Sequence, residues 1–468
     1  MISDRASAAT FDSVDPATGE VLATLPVCGP DEVDAAVAAA RSAQSDWAAA
    51  DPLVRTRVLL RLAALIEEHA DELARLESRD VGKPLSEAAT RDVPFTIQTW
   101  LYYAGWPTKV LGTTNPAKPG VFTYTLREPL GVVGIITPWN FPLTIASWKL
   151  APALACGNAV VHKPAEEAPL TALRLAELAL EAGVPAGLWN VVTGDGSTGA
   201  ALAAHTDVDK ISFTGSTEVG QEIQRAAAGN LKRLTLELGG KSANIVLDDA
   251  ELDAATAGAM NSTFRNQGEI CTAGARLIAH GRVADELVER LAGRVSALRL
   301  GRGLDDDTDM GPLVSGRQRA RVLDLYESAR ADGATVVVGG GSATVEEYPD
   351  GFFVEPTIFD ETSNDMRINR EEIFGPAVAV IRVGDEEEAV RIANDTQFGL
   401  AAAVWTRDGA RAHRVARALR AGTVWVNMYG GLDPYSTFSG RGLSGYGYEL
   451  GPESIGEYTA VKTIKSGI

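Results

Sequence analysis

The chain is poor in the residues that would make it a disulfide, zinc or membrane protein. Its 468 residues include only three cysteines, Cys28, Cys156 and Cys271. They are odd in number and far apart, so no disulfide framework is implied, and a reducing cytoplasmic location is expected. Five histidines show no metal-ligand spacing with one another or with cysteine, which argues against a structural zinc site. No apolar run reaches the roughly 18 residues of a membrane-spanning helix. The opening MISDRASAATFDS has no apolar signal core. Basic residues are also short: 43 Lys and Arg against 62 Asp and Glu leave a net charge of −19. A surface of that sign repels nucleic acid and anionic membranes, so neither is expected as a partner.

Apolar residues are plentiful, at 45%, and the length calls for two to four packed units. Residues 31 to 82 repeat apolar positions at helical spacing and stop at Gly82. From Gly131 the texture changes. GVVGIITPWN, NAVVHKP, WNVVTG and KISFTG are short Val- and Ile-rich runs, separated by helical stretches. That alternation is the pattern of a parallel sheet with crossover helices, and it places a nucleotide site at the carboxyl ends of the strands. A second alternating region starts near Lys241, with a helix expected over 251–268. The terminal YTAVKTIKSGI alternates like an edge strand and invites pairing with another subunit.

Three places draw attention as sites. GDGSTG, at 194–199, fits a glycine-rich phosphate fingerprint but lacks the acidic residue that should end the next strand, so it reads as a turn. FTGSTEVG is the better anion site, because Ser216 and Thr217 can cap a helix whose free N–H groups face a phosphate. Lys163 and Glu166 stand at the carboxyl end of NAVVHK, where a ribose would sit. NQGEIC then puts Cys271 among turn-formers, on a connection. Taken alone, a free cysteine is more often a small buried hydrophobe than a nucleophile.

TPWNFPL, LACGNAVVHKPAEEAPL, FTGSTEVG, LELGGKSANIVLDDA, NQGEIC and EEIFGPAVAV occur in an order and spacing that resemble the NAD(P)-dependent aldehyde dehydrogenase superfamily. DPATGEVLATLP, FGLAAAVWT and GTVWVNMY extend the resemblance from about residue 11 to about residue 465. It implies an α/β fold of three parts. These are a Rossmann-type cofactor domain (1–111 and 130–239), an α/β catalytic domain (240–443) and a small β oligomerisation arm (112–129 and 459–468). It implies Cys271 as nucleophile, Glu237 as general base, Asn140 as the side-chain half of an oxyanion hole, and Lys149 close to the active site. Lys163, Glu166, Ser216, Trp139, Glu372 and Phe374 fall at cofactor positions. Glu166 in particular implies NAD in preference to NADP.

Phe141, Trp148, Leu432 and Phe438 resemble tunnel-lining positions. They predict an apolar tunnel that favours aliphatic or aromatic aldehydes over strongly acidic ones, with Arg265 and Arg441 as the cations able to approach. A homodimer or homotetramer is implied. Two departures stand out: Glu269 replaces a common glutamine two residues before the cysteine, and TFSGRGLSGYGYE alters the usual C-terminal segment. Two alternatives stay open at this stage. One is a relative that hands its acyl group to coenzyme A, against which Glu237 argues. The other is a catalytically inactive binding or structural protein, against which Cys271, Glu237 and Asn140 argue.

Overall fold

The computed structural model describes residues 9–467. Two large sheets organise these residues, joined by a small three-stranded sheet and an N-terminal hairpin, Thr10–Val14 with Val21–Pro26. The six-stranded sheet runs in the order Gly445–Tyr446, Arg233–Glu237, Lys210–Thr214, Val132–Ile136, Ala159–Lys163, Trp189–Val191. Its central strands, VVGII, AVVHK and KISFT, are buried at every position, which is why they read as unbroken apolar runs.

The chain enters this sheet at its middle. It steps outward from Val132–Ile136 to one side, then returns to lay Lys210–Thr214 on the other, where the two pair in parallel. The strand order therefore reverses between those two strands, and their carboxyl ends open a crevice, the usual ligand position in such sheets. Residues 137–141 leave the first strand, and Gly215 and Ser216 leave the second. Helix Pro142–Ala155 follows directly and is buried along its whole length.

The seven-stranded sheet has the order Thr335–Val338, Thr357–Asp360, Ala377–Val383, Arg276–His280, Ala243–Val246, Ala401–Trp405, Thr423–Val426. All its pairings are parallel except that of the edge strand Thr335–Val338. The C-terminal strand Thr459–Gly467 pairs antiparallel along Val121–Pro129, with Thr114–Asn115 on the far side. Phe122, Leu126 and Val461 on this ribbon are exposed.

Local punctuation follows the sequence in most places. The N-terminal helical region resolves into Pro30–Ala49, Pro52–Glu68 and Ala70–Val81, and Gly82 ends the last at φ +92°, a conformation that favours glycine. GDGSTG is a turn followed by a capped helix, with the Asp195 carboxylate accepting the Ser197 N–H at 2.8 Å. The helix expected over 251–268 is a correction: it ends at Thr263. Asn266, Gln267 and Gly268 all take left-handed backbone conformations, at φ +46°, +53° and +72°. Tertiary contacts described below override the helical periodicity there.

Candidate active site

Cys271 follows that left-handed turn. Such conformations cost non-glycine residues about 1–3 kcal/mol each and persist only where the surroundings hold them. Here the surroundings are specific. The Asn266 N–H donates to both Glu87 carboxylate oxygens at 3.2 Å, and Asn266 Nδ2 donates to the Asn140 carbonyl at 3.0 Å and the Glu269 carbonyl at 3.2 Å. Gly268 also lies so close to the next loop that a Cβ would come within 2.2 Å of the Gly375 carbonyl oxygen. The turn thus fixes the direction in which the chain delivers Cys271.

Asn140 meets this turn from the other sheet. Its side-chain Nδ2 donates to the Glu269 carbonyl at 2.9 Å, which uses one of its two N–H bonds. Its own carbonyl receives Lys83 Nζ at 3.0 Å. Lys83 is wholly buried. It pairs with Asp92 at 2.7 Å and Glu77 at 3.2 Å, and lies 4.3 Å from the centre of the Phe141 ring. Burial works against its charge, but the Asp92 and Glu77 carboxylates together outweigh it and raise its pKa. This cluster braces Asn140, and nothing in the sequence singled it out.

Glu237 ends strand Arg233–Glu237 and is 2% exposed. Neither carboxylate oxygen completes a hydrogen bond among the described residues. Burial, then the Glu449 charge, push its pKa well above the ordinary carboxylate range, while Lys149 and the Gly440 N–H pull the other way. Lys149 itself faces away from the crevice: its Nζ donates to Glu449 Oε1 at 2.7 Å and to Ser212 Oγ at 3.2 Å. The Cys271 thiol is pushed up to about 12, by burial first and then by the nearby Glu372 and Glu237 carboxylates.

Two cavities open on the cysteine. One, of about 440 Å³, lies over the sheet crevice and is lined by Trp139, Ser216, Thr217, Glu372 and Phe374. The other, of about 300 Å³, is lined by Phe141, Trp148 and Leu432, and also by Arg91 and Arg265. Among the described residues, Cys271 alone lines both.

The larger cavity suits an anionic, flat ligand. Ser216 caps the helix Thr217–Ala226, its Oγ accepting the Val219 N–H at 3.3 Å, and the first-turn N–H groups face the opening. Opposite, Glu372 accepts the Gly240 N–H at 3.0 Å, and burial raises its pKa to about 7. Its Oε2 lies 2.4 Å from where a Cβ on Gly239 would be, so only glycine lets it sit there. The Phe374 ring meets Trp139 edge-on at 5.2 Å.

The matching family is described as "Aldehyde dehydrogenase family", and its sequence model covers residues 2–464. The chain belongs to the aldehyde dehydrogenase family. It is therefore an oxidoreductase acting on aldehydes. A Bacillus subtilis (strain 168) relative, named "Putative aldehyde dehydrogenase DhaS", is 48% identical over 98% of this chain and 92% of its own. The crystal structure of PnpE in complex with nicotinamide adenine dinucleotide superposes with a TM-score of 0.97 at 45% identity, covering 98% of this chain and 94% of that one. The NAD+ complex of an aldehyde dehydrogenase from Bacillus cereus gives 0.96 at 45% identity, with the same coverage of both chains.

Several expected aldehyde dehydrogenase residues converge, and others stand back. Cys271, Asn140, Trp139, Ser216, Glu372 and Phe374 share the larger cavity. Lys163 and Glu166 pair with each other at 3.0 Å at the end of the next strand, outside the set that lines it. Phe141, Trp148 and Leu432 line the smaller cavity. Phe438 does not: it is buried behind Trp148, ring centres 6.0 Å apart, in the bridge to Glu449. Of the two arginines expected to approach, Arg265 lines the cavity and Arg441 does not. The tunnel is consequently less apolar than the sequence suggests. Arg91 was missed because it sits on a one-turn π-helix, Ala88–Asp92, which has no sequence signature.

The turn gives a direct test. Gly268→Ala adds a methyl at a positive φ and against the Gly375 carbonyl. We expect it to destabilise the fold by about 2–3 kcal/mol and to lower activity further by misplacing Cys271. Denaturant unfolding together with thiol-titration kinetics checks both.

Proposed function

We propose that the chain oxidises an aldehyde to the carboxylic acid on Cys271, with NAD held in the larger cavity. The observation that carries this is the position of Cys271 as the one side chain common to both cavities. The relatives crystallised with nicotinamide adenine dinucleotide support the cofactor. Ser216 and the first turn after it suit a pyrophosphate, Glu372 and Phe374 suit the nicotinamide end, and the Lys163–Glu166 pair suits the adenosine ribose. NAD supplies the hydride acceptor when bound.

The thiol needs help to react. With its pKa at about 12, the thiolate fraction at pH 7 is only on the order of 10⁻⁵. Ionisation must be coupled to proton transfer, and Glu237, whose charge the thiol senses, is the acceptor at hand. The thiolate then adds to the aldehyde carbon, and the oxygen becomes an oxyanion. Asn140 keeps its second Nδ2 N–H for that oxyanion, with the Cys271 backbone N–H as the other donor. Loss of hydride from the tetrahedral carbon leaves a thioester on Cys271.

Glu237 must first release that proton to solvent, and water then attacks. A carboxylate whose pKa is raised by burial is a competent base near neutral pH, and Glu237 has that setting. Lys149 and Glu449 hold opposite charges around it, so we assign Lys149 to positioning the base. Glu237 also favours hydrolysis over transfer of the acyl group to coenzyme A. We further infer that the cofactor unit (1–111 and 130–239) and catalytic unit (240–443) meet at this crevice in a cytoplasmic enzyme.

Cys271→Ala should abolish turnover without altering the fold. Glu237→Gln should release about one equivalent of NADH per site in a burst and then turn over about 10²–10⁴-fold more slowly, with the acyl group found on Cys271 by mass spectrometry. The steady rate of the unaltered enzyme should climb as pH rises through the raised Glu237 pKa, because the base must lose its proton; Glu237→Gln should lack that limb. Turnover by Glu237→Gln at the unaltered rate would place the base elsewhere.

Cofactor choice is a second test. Glu166 stands where a 2′-phosphate would approach, and like charges there repel. We expect a higher kcat/KM with NAD than with NADP, and a narrower gap in Glu166→Ser. Equal efficiency with both in the unaltered protein would contradict this.

Assembly is a third. The exposed apolar side chains of the C-terminal ribbon suit a homodimer or homotetramer. Light scattering should show an oligomer for the full chain, and monomers or aggregates when residues 459–468 are removed. A stable full-length monomer would overturn the assignment.

A further inference from the structure

GTVWVNMY, near the end of the catalytic sheet, has no part in the chemistry above. Its strand Thr423–Val426 is the sheet edge, Asn427 follows at φ +53°, and Tyr429 beyond it is only 6% exposed. Tyr429 lines neither cavity.

The side chain is nonetheless firmly held. The Tyr429 carbonyl accepts Asn261 Nδ2 at 2.8 Å, from the helix that precedes the left-handed turn. The ring centre lies 4.8 Å from that of Trp425. The ring edge passes Gly274, where a Cβ would come within 3.0 Å of Tyr429 Cε2, so glycine leaves the room it needs. At the far end, the hydroxyl donates to the Thr272 carbonyl at 2.7 Å. Burial raises the Tyr429 pKa; the Ser242 hydroxyl lowers it and the Cys271 charge raises it further. The hydroxyl therefore keeps its proton at neutral pH and remains a donor.

Thr272 directly follows the nucleophile. Residues 270–273 form a turn closed by the Ala273 N–H on the Ile270 carbonyl at 3.0 Å, with Cys271 as its second residue. On the entry side, the Glu269 carbonyl is fixed by Asn140 and Asn266. Those bonds do not reach the exit side. A turn anchored at one end rocks about that end, and its central peptide can flip between the two common turn types. Two contacts oppose such motion. The Cys271 carbonyl packs so closely on Gly240 that a Cβ there would collide with it. The Thr272 carbonyl is taken by Tyr429.

We propose that Tyr429 is a positioning residue for the nucleophile: its hydroxyl, on the Thr272 carbonyl, anchors the exit side of the turn and fixes where the Cys271 thiol stands. This rests on the reading of Cys271 as nucleophile and deepens it. Small displacements of a reacting group are costly in rate, so loss of the anchor slows the chemical step. It leaves NAD binding unchanged, because Tyr429 does not line the larger cavity.

The test removes the hydroxyl alone. Tyr429→Phe keeps the ring and its packing on Trp425 and Gly274. NADH formation is followed over a single turnover of hexanal, with the full-length enzyme in excess over NAD, so that thioester hydrolysis does not enter. We expect the rate to fall about 10-fold, the worth of one neutral hydrogen bond at the upper end of its range. The NAD Kd, read from protein fluorescence, should not change. Thr406→Val is the control. Thr406 Oγ1 donates to Asp249 at 2.7 Å at the end of the neighbouring strand, outside both cavities, so this variant loses a hydrogen bond of the same sheet without touching the turn. Its single-turnover rate should match that of the unaltered enzyme even where denaturant unfolding shows an equal loss of stability. An unchanged rate in Tyr429→Phe, an equal slowing in Thr406→Val, or a loss of NAD affinity that accounts for the slowing would each overturn the proposal while leaving aldehyde oxidation intact. No NADH from the unaltered enzyme, or NADH from Cys271→Ala, would overturn the oxidation reading itself, and this proposal with it.

Discussion

The site depends on one constraint, the left-handed run at Asn266, Gln267 and Gly268. A helix that continued past Thr263 would bury Cys271 on its own face. The reversed turn instead carries the chain out of the catalytic sheet and sets the cysteine at the meeting point of two cavities. Its strain is balanced by contacts from three distant segments: Glu87, the Asn140 carbonyl and the close approach of Gly375. The Glu269 carbonyl, which the turn orients, receives the Asn140 amide. Cys271 and Asn140 are therefore placed by the same few bonds, and a change to any of them moves both.

Around this turn the protein keeps charges where water cannot reach. Lys83 with Asp92 and Glu77, and Lys149 with Glu449, are buried pairs that remain expensive to disturb one side at a time. Of these residues, Asp92 lines the smaller cavity and the others line neither. Their effect is on neighbours: Lys83 braces Asn140, and the Lys149–Glu449 pair sets the field at Glu237. Cys271 and Glu237 both have raised pKa values, with burial the first cause of each.

Much of this was legible in the sequence, for identifiable reasons. Strands VVGII and AVVHK are buried on both faces and so announce a parallel sheet without any alignment. Gly82 stops its helix because its conformation suits glycine. Alternating strands and helices pointed to the carboxyl ends of the sheet as the ligand side, while the place where the strand order reverses came only with the fold. The left-handed turn was not legible, since Asn266 and Gln267 adopt it through tertiary bonds and local propensity points to helix. Lys83 was missed because a lone lysine reads as solvated until its two carboxylates are brought together from positions 77 and 92. Phe438 has the right chemistry for a tunnel wall and sits one layer too deep. Arg91 lines the smaller cavity from a π-turn, Ala88–Asp92, that no sequence pattern announces.

Glu269 shows how a departure in sequence can leave chemistry unchanged. An ionised acid two residues before the nucleophile would add to the repulsion that already raises the thiol pKa. The side chain, however, is fully buried, and its Oε1 accepts the Val314 N–H at 3.1 Å. Burial pushes its pKa well above the ordinary carboxylate range, against the pull of that N–H and of Lys83. The carboxylates that raise the thiol are Glu372 and Glu237, and Glu269 is not among them. A residue that looks like an electrostatic liability in the sequence is, once folded, a buried group tied to the Val314 N–H beside the turn.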